Sequence, residues 1–253
     1  MRIEGSGIIV AGGSSGLGLE TARHLASAGA VVGVLDMKPN PDWTGPFAAA
    51  DVSDADAVSA AFDTLAAQLP GIHALLNTTG TGHSGISAGP GKKVTPEGFR
   101  RVLDVNTLGS FILAQAAVDR MVDNAPTTSG ERGVIINTSS IVALEGQIGT
   151  AAYAAAKAGI HGMTLPLARE FARYGIRILA IAPGIFETPM FSNAKGPMVE
   201  WLRDQVQFPN RPGDASEFAA FVQAAIENVM LNGEVVRLDG AYRVPPGRHD
   251  WWE

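Results

Sequence analysis

The run Val134-Ile135-Ile136-Asn137-Thr138-Ser139-Ser140, followed by Tyr153-Ala154-Ala155-Ala156-Lys157, decides how the chain is read. Three consecutive β-branched residues, Val134 to Ile136, predict a buried strand, and the Ala-rich segment from Tyr153 onward predicts a helix. Ser140 therefore stands just past a strand end. On a helix Tyr153 and Lys157 are four apart and share one face, so an ammonium and a phenol are brought together. A free tyrosine titrates near pH ~10, and a neighbouring cation favours the phenolate. Lowering that value by roughly three units takes about 4 kcal/mol, which asks for a second positive charge beside the lysine. A hydroxyl, a phenol and an ammonium so arranged make a general acid/base for neutral pH.

The same strand-then-helix rhythm starts the chain. Ile8-Ile9-Val10 runs into Ala11-Gly12-Gly13-Ser14-Ser15-Gly16-Leu17-Gly18, and helical character follows from Leu19 to Ala28. The glycine spacing is G-x-x-x-G-x-G rather than G-x-G-x-x-G, but the physical roles carry over: a tight turn, and backbone close to a pyrophosphate on a helix N-terminus. Gly12, Ser15, Gly16, Leu17 and Gly18 are the expected cradle. A second strand, Val31 to Leu35, ends at Asp36, about twenty residues past the glycine turn. A carboxylate there accepts both ribose hydroxyls of NAD and repels the 2′-phosphate of NADP.

Further along, Phe47 to Val52 reads as a third strand, 54–69 as a helix capped by Ser53 or Asp54, and Ala74-Leu75-Leu76 as a fourth strand entering Asn77-Thr78-Thr79-Gly80. Residues 81–96 are rich in Gly, Ser and Pro and carry Lys92-Lys93, a long loop of the kind that is functional or disordered. Phe99 to Met121 has helical periodicity, Arg177 to Ala182 is a strand entering Pro183-Gly184-Ile185-Phe186-Glu187-Thr188, Ala215 to Met230 a helix, and Val235 to Leu238 a last strand. Met190, Phe191, Met198, Trp201, Leu202 and Phe208 lie among polar residues and suit an apolar lid. Alternating strands and helices over the whole length specify an α/β fold: one doubly wound, Rossmann-type parallel sheet with helices on both faces, whose ligands bind at the carboxyl ends of the strands.

Composition excludes several classes. Across 253 residues there are 19 Lys and Arg against 25 Asp and Glu, a formal charge of −6, with the cations scattered; this argues against a nucleic-acid surface. Zero cysteines exclude a disulfide framework and thiolate metal sites, and the 5 histidines show no metal-ligand spacing, so no metal is expected. The opening Met-Arg-Ile-Glu-Gly enters a strand directly, and no apolar run is long enough for a bilayer, so a cytoplasmic location and no membrane partner are expected.

Taken jointly these motifs resemble the short-chain dehydrogenase/reductase family, over nearly the full chain. The resemblance lies in Ser140, Tyr153 and Lys157; in the glycine turn, with Ala11 where the family carries threonine; in Asn77-Thr78-Thr79-Gly80 against the family's N-N-A-G; and in Pro183 to Thr188 against P-G-x-x-x-T. It implies a single domain over 1–253, with a substrate lid at about 186–212 and a short tail from 245 to 253. It implies Ser140, Tyr153, Lys157 and Asn106 as the catalytic set, with Asn106 kinking its helix and completing a proton path. Tyr153 and Lys157 would also meet the cofactor. Asp51 and Val52 would lie beside the adenine, Asn77, Thr78 and Gly80 along the cofactor through backbone, and Pro183, Phe186 and Thr188 at the nicotinamide. On this view the side-chain changes at Thr78 and Thr79 need not matter, and the hydroxyl missing at Ala11 simply costs a hydrogen bond.

The implied cofactor is NAD and the implied assembly a homotetramer, using the small residues Ala158, Gly159 and Gly162 of the catalytic helix. Passages such as Arg101 to Asn106, Gly133 to Thr138, Glu145-Gly146-Gln147, Gly162 to Pro166 and Asn232 to Gly240 are similar to family members that oxidise 3-hydroxyacyl-CoA. Lys92 and Lys93 would then meet the polyanionic nucleotide, and Ser140 the substrate oxygen. Alternatives are a hydroxysteroid or simple secondary-alcohol dehydrogenase, an NADPH-dependent 3-ketoacyl reductase, or a dinucleotide-binding protein without turnover.

Overall fold

A computed structural model describes residues 1–188, 201 and 205–248. Strands β1 (Gly7–Ala11), β2 (Val31–Asp36), β3 (Phe47–Ala49), β4 (Ala74–Asn77), β5 (Gly133–Thr138), β6 (Ile176–Pro183) and β7 (Val235–Leu238) form one sheet in the order β3-β2-β1-β4-β5-β6-β7. Every pairing is parallel, with Ile8 opposite both Val32 and Ala74. The order reverses between β1 and β4, and the carboxyl ends of those two strands frame the crevice where such sheets bind ligands.

Parallel strands covered on both faces need apolar residues on each, and β1, β4, β5 and β6 are buried along their full length. One apolar layer packs Phe62 and Leu65 of α2 (Ala55–Ala66) and Leu113, Ala117 and Met121 of α4 (Gly109–Met121) on Ile9, Leu75 and Ile135. On the other, Ala22 and Leu25 of α1 (Gly16–Ser27) join Phe218 and Val222 of α6 (Ala215–Glu227) over Ile8, Val10, Leu76 and Ile136. Asp54 caps α2 by accepting from the Ala57 amide at 3.0 Å.

Two expectations change. The helix predicted from Phe99 to Met121 is α3 (Pro96–Leu103), a π turn at Asp104–Leu108, and then α4, with Pro96 at the first helical position and Thr95 as its cap. The loop 81–96 folds back on itself through an isolated bridge between Ile86 and Lys93, and Gly85 donates to the Gly149 carbonyl at 3.0 Å. The tail begins docked on its own subunit: Ile148 donates to the Pro246 carbonyl at 2.9 Å. Most of the expected lid, and Trp251 and Trp252, lie outside the described residues. Among the described residues no helix is long and apolar enough to cross a membrane.

Candidate active site

The turn after β1 is built for close approach. Gly12 has φ +79, and a Cβ there would stand 2.8 Å from Thr78 Oγ1; at Gly18 it would meet the Gly12 carbonyl oxygen at 2.2 Å. The crowding comes from β4's turn. Thr78 donates its hydroxyl to the Ala11 carbonyl at 2.9 Å, and its amide reaches the same oxygen at 2.8 Å. Thr79 donates to Asn77 Oδ1 at 2.6 Å. These threonines are therefore not idle: Thr78 ties the two turns together through the Ala11 carbonyl. The sequence signal was the paired departure at 11 and 78, read as two independent changes.

The Asn77 side chain turns inward. It donates to Ser110 Oγ at 2.8 Å and Asn137 Oδ1 at 3.0 Å, joining β4, β5 and α4, so this residue offers a ligand its backbone alone. Asp36 accepts from the Ser14 amide at 3.1 Å and the Met37 amide at 2.7 Å, which holds the carboxylate against the glycine turn. Asp51 accepts from the Ser53 hydroxyl and amide and from Arg101 Nη2 at 2.8 Å. Those bonds, Ser53's first, hold its carboxyl down at about 2. Val52 fills the space beside Gly109, where a Cβ would come within 2.8 Å of it.

Around β5 the catalytic candidates converge. Ser140 caps the short 3-10 turn Ile141–Ala143, its Oγ accepting from the Val142 amide at 3.2 Å. The long helix α5 (Ala151–Phe171) carries Tyr153 and Lys157 in its first two turns. Lys157 is 3% exposed; its Nζ donates to the Thr138 carbonyl at 2.7 Å and stands 5.8 Å from the Tyr153 ring centroid. Burial lowers the lysine to about 7. Burial also raises the tyrosine, and the Ser140 hydroxyl, a hydrogen-bonding neighbour, pulls the other way. In the protein alone, then, the phenol is raised rather than lowered, because its own burial disfavours the phenolate more than the Ser140 hydroxyl favours it.

Asn106 sits fully buried in the π turn, donating to the carbonyls of Thr81 at 2.8 Å and Val102 at 2.9 Å. Its Oδ1 has no partner among the described residues. Gly80 lies between the two sides: a Cβ there would meet Asn106 Oδ1 at 2.9 Å and Lys157 Nζ at 3.4 Å. A glycine kept at that spot leaves room between two polar groups, one an orphan acceptor and one a donor. Thr107 and Gly159 fasten the π turn to α5, with Thr107 Oγ1 donating to the Ala156 carbonyl at 2.8 Å and Thr107 Cγ2 2.6 Å from where a Gly159 Cβ would be. Gly159 thus serves contact within the subunit, whereas Gly162 stays open.

Pro183 ends β6, and the Phe186 ring leaves the crevice to pack edge-on against Phe218, centroids 6.1 Å apart. Only backbone at Phe186 is available to a nicotinamide. Thr188 is half-buried two residues on. Beside α5 a cavity of about 680 Å³ is walled by Ile86 and Pro90 on one side and by Gly146, Gln147, Ile148 and Ala154 on the other. Lys92 and Lys93 are exposed on the segment that folds against Ile86, outside the cavity lining. Among the described residues no group of three or more His, Cys, Asp or Glu side chains is placed to hold a metal.

The chain is similar to known proteins along nearly its whole length. The family described as short chain dehydrogenase matches residues 6–197. Human 3-hydroxyacyl-CoA dehydrogenase type-2 is 42% identical, covering 96% of this chain and 97% of its own, and the Drosophila melanogaster protein of the same name is 41% identical over 94% and 97%. The crystal structure of 3-hydroxyacyl-CoA dehydrogenase type-2 from Mycobacterium avium superposes with a TM-score of 0.88 at 32% identity, covering 96% of this chain and 97% of that one.

Proposed function

Because the chain belongs to the short chain dehydrogenase family, we propose that it is an NAD-dependent enzyme interconverting a secondary alcohol and a ketone, with 3-hydroxyacyl-CoA as the alcohol. The observation that carries the reading is the convergence of Ser140, Tyr153 and Lys157 on the carboxyl end of β5, beside a glycine turn crowded enough to need backbone contact with a ligand.

The crevice suits a nicotinamide dinucleotide: Gly12 and Gly18 leave bare backbone at the N-terminus of α1, Asp36 holds a fixed carboxylate at the end of β2, and Gly80 opens a space beside Lys157. When bound, such a cofactor accepts or returns a hydride at its nicotinamide ring. The chain's own residues handle the proton. Tyr153 Oη takes it from the substrate hydroxyl during oxidation and gives it back during reduction, while Ser140 Oγ orients the substrate oxygen. Lys157, 5.8 Å from the phenol ring, supplies positive charge when protonated. Asn106 Oδ1 and Lys157 Nζ face the same gap at Gly80, a route by which the proton reaches solvent.

The likeness to enzymes named for 3-hydroxyacyl-CoA supports that substrate, and so do two exposed lysines beside an apolar cavity. A second reading, an uncharged secondary alcohol, is favoured by the cavity lining itself, which among the described residues carries no charged side chain. Reduction of acetoacetyl-CoA by NADH, followed by loss of NADH absorbance, tests the first; activity confined to uncharged ketones supports the second. Leu108 at the end of the π turn, Phe111 in the first turn of α4 and Leu165 on α5 are exposed apolar residues that a homotetramer would cover.

A further inference from the structure

The segment from Glu145 to Thr150, between Ser140 and Tyr153, has neither helix nor strand of its own, yet Gly146 to Thr150 form one wall of the cavity. Its path is set from outside. Glu145 receives a two-pronged bond from Arg237, Nη1 to Oε1 at 2.8 Å and Nη2 to Oε2 at 3.2 Å, and Oε2 also accepts the Val244 amide at 2.9 Å. Arg237 is in turn fixed by Asp239 Oδ2 at 2.8 Å from Nε and by the Tyr242 carbonyl at 2.9 Å. Past Val244 the chain continues along the same wall, the Pro245 carbonyl accepting from Gln147 Nε2 at 3.4 Å and the Pro246 carbonyl from the Ile148 amide at 2.9 Å. Glu145, at the entry to the wall, and Gln147 and Ile148 within it are thus held by residues 237–246.

We infer that Glu145 is a positioning residue that fixes the substrate wall 146–150 through Arg237 and the C-terminal segment, and so governs the fit of the ketone without acting on the cofactor. The charge and planar fork of Arg237 suit this task because a bidentate pair sets orientation as well as distance. Removing the carboxylate frees the wall at the point where the chain leaves the 3-10 turn after Ser140. It leaves the glycine turn, Asp36 and the Lys157 to Thr138 bond untouched, since none of them contacts the network. The inference rests on the dehydrogenase reading above.

The test compares the full chain with Glu145→Ala and Glu145→Gln, the latter keeping one acceptor oxygen for Val244 or Arg237. In Glu145→Ala we expect kcat/KM for acetoacetyl-CoA, per NADH-binding site, to fall about tenfold with the NADH Kd within twofold of its original value, and Glu145→Gln to recover to within threefold. Hydrogen exchange should quicken at Ile148 and its neighbours in Glu145→Ala while the β1 amides keep their protection. A parallel loss of NADH affinity, an unchanged kcat/KM, or unchanged exchange at 146–150 overturns the inference. If the unaltered protein fails to reduce acetoacetyl-CoA, the acyl-CoA reading falls, and the exchange comparison still decides the role of Glu145.

Discussion

Lys157 Nζ lies over the Tyr153 ring, 5.8 Å from its centroid, yet it donates a hydrogen bond to the Thr138 carbonyl at 2.7 Å. The two groups shift away from the charges their chemistry uses, the lysine down to about 7 and the tyrosine up, and burial is the leading cause for both.

A stability consequence follows for the lysine. Its folded value lies below its unfolded one of 10.5, so between about pH 7 and 10.5 the unfolded chain binds the extra proton and stability rises with pH. Below about 7 the cost of burying the charge is felt in full. Lys157→Met should therefore unfold at higher urea than the original at pH 6.5, and its advantage should shrink by about 2 kcal/mol by pH 9. A gap that stays constant across that range would mean the ammonium is compensated.

Tyr153→Phe keeps the ring and removes only the ionisable oxygen. NADH affinity should stay within a few-fold while kcat falls by about 10² to 10⁴, the usual worth of a positioned acid/base. Fluorescence titration and a coupled assay on the same preparation check both halves, and substantial remaining turnover would assign the proton to another group.

Asp36 is held by two backbone amides and cannot easily swing away from a 2′-phosphate. NAD should be preferred over NADP by more than tenfold, at least about 1.4 kcal/mol, and Asp36→Ala should shrink that ratio mainly by improving NADP. Equal affinities in the unaltered protein would refute the reading.

Thr78→Val deletes the hydroxyl that reaches Ala11 across the two turns. The lost bond should cost about 1 kcal/mol of stability and weaken NADH binding, with kcat at saturating cofactor little changed. Calorimetry and NADH titration measure the two effects, and a variant indistinguishable from the original would leave the turns held by backbone alone.

Lys92→Ala combined with Lys93→Ala should raise KM for acetoacetyl-CoA, leave kcat alone, and spare uncharged ketones, the pattern of lost uniform binding. The difference should fade as salt screens the exposed charges. An unaltered KM would favour the uncharged substrate.

Much of this was legible in the chain itself. The β-branched runs at 8–10 and 134–136 and the apolar run at 178–182 could be little else than buried strands, and the Tyr153 to Lys157 spacing on an Ala-rich helix puts both side chains on one face. What escaped was set by contacts between distant residues. Glu145 and Arg237 are 92 positions apart, and nothing local marks either as a partner. Thr78 reads as a turn residue until the Ala11 carbonyl is seen above it. Phe186 reads as a residue facing the cofactor until Phe218 is found behind it. Helix spacing likewise shows that Lys157 lies near Tyr153, but not how deeply both are buried, and burial is what raises the phenol in the protein alone.

The π turn at Asp104–Leu108 holds one residue more than an unbroken helix would need. Each residue of a helix turns it by about 100°, so that surplus is what lets Asn106 point inward on one side while Leu113, Ala117 and Met121 point inward beyond it. Shortening the chain by one residue here would make a more regular helix and a worse protein, since either the asparagine or the whole apolar stripe of α4 would swing out of place. Deleting one residue from Asp104–Leu108 should therefore cost more stability than a point change at Leu108, the exposed end of the same turn.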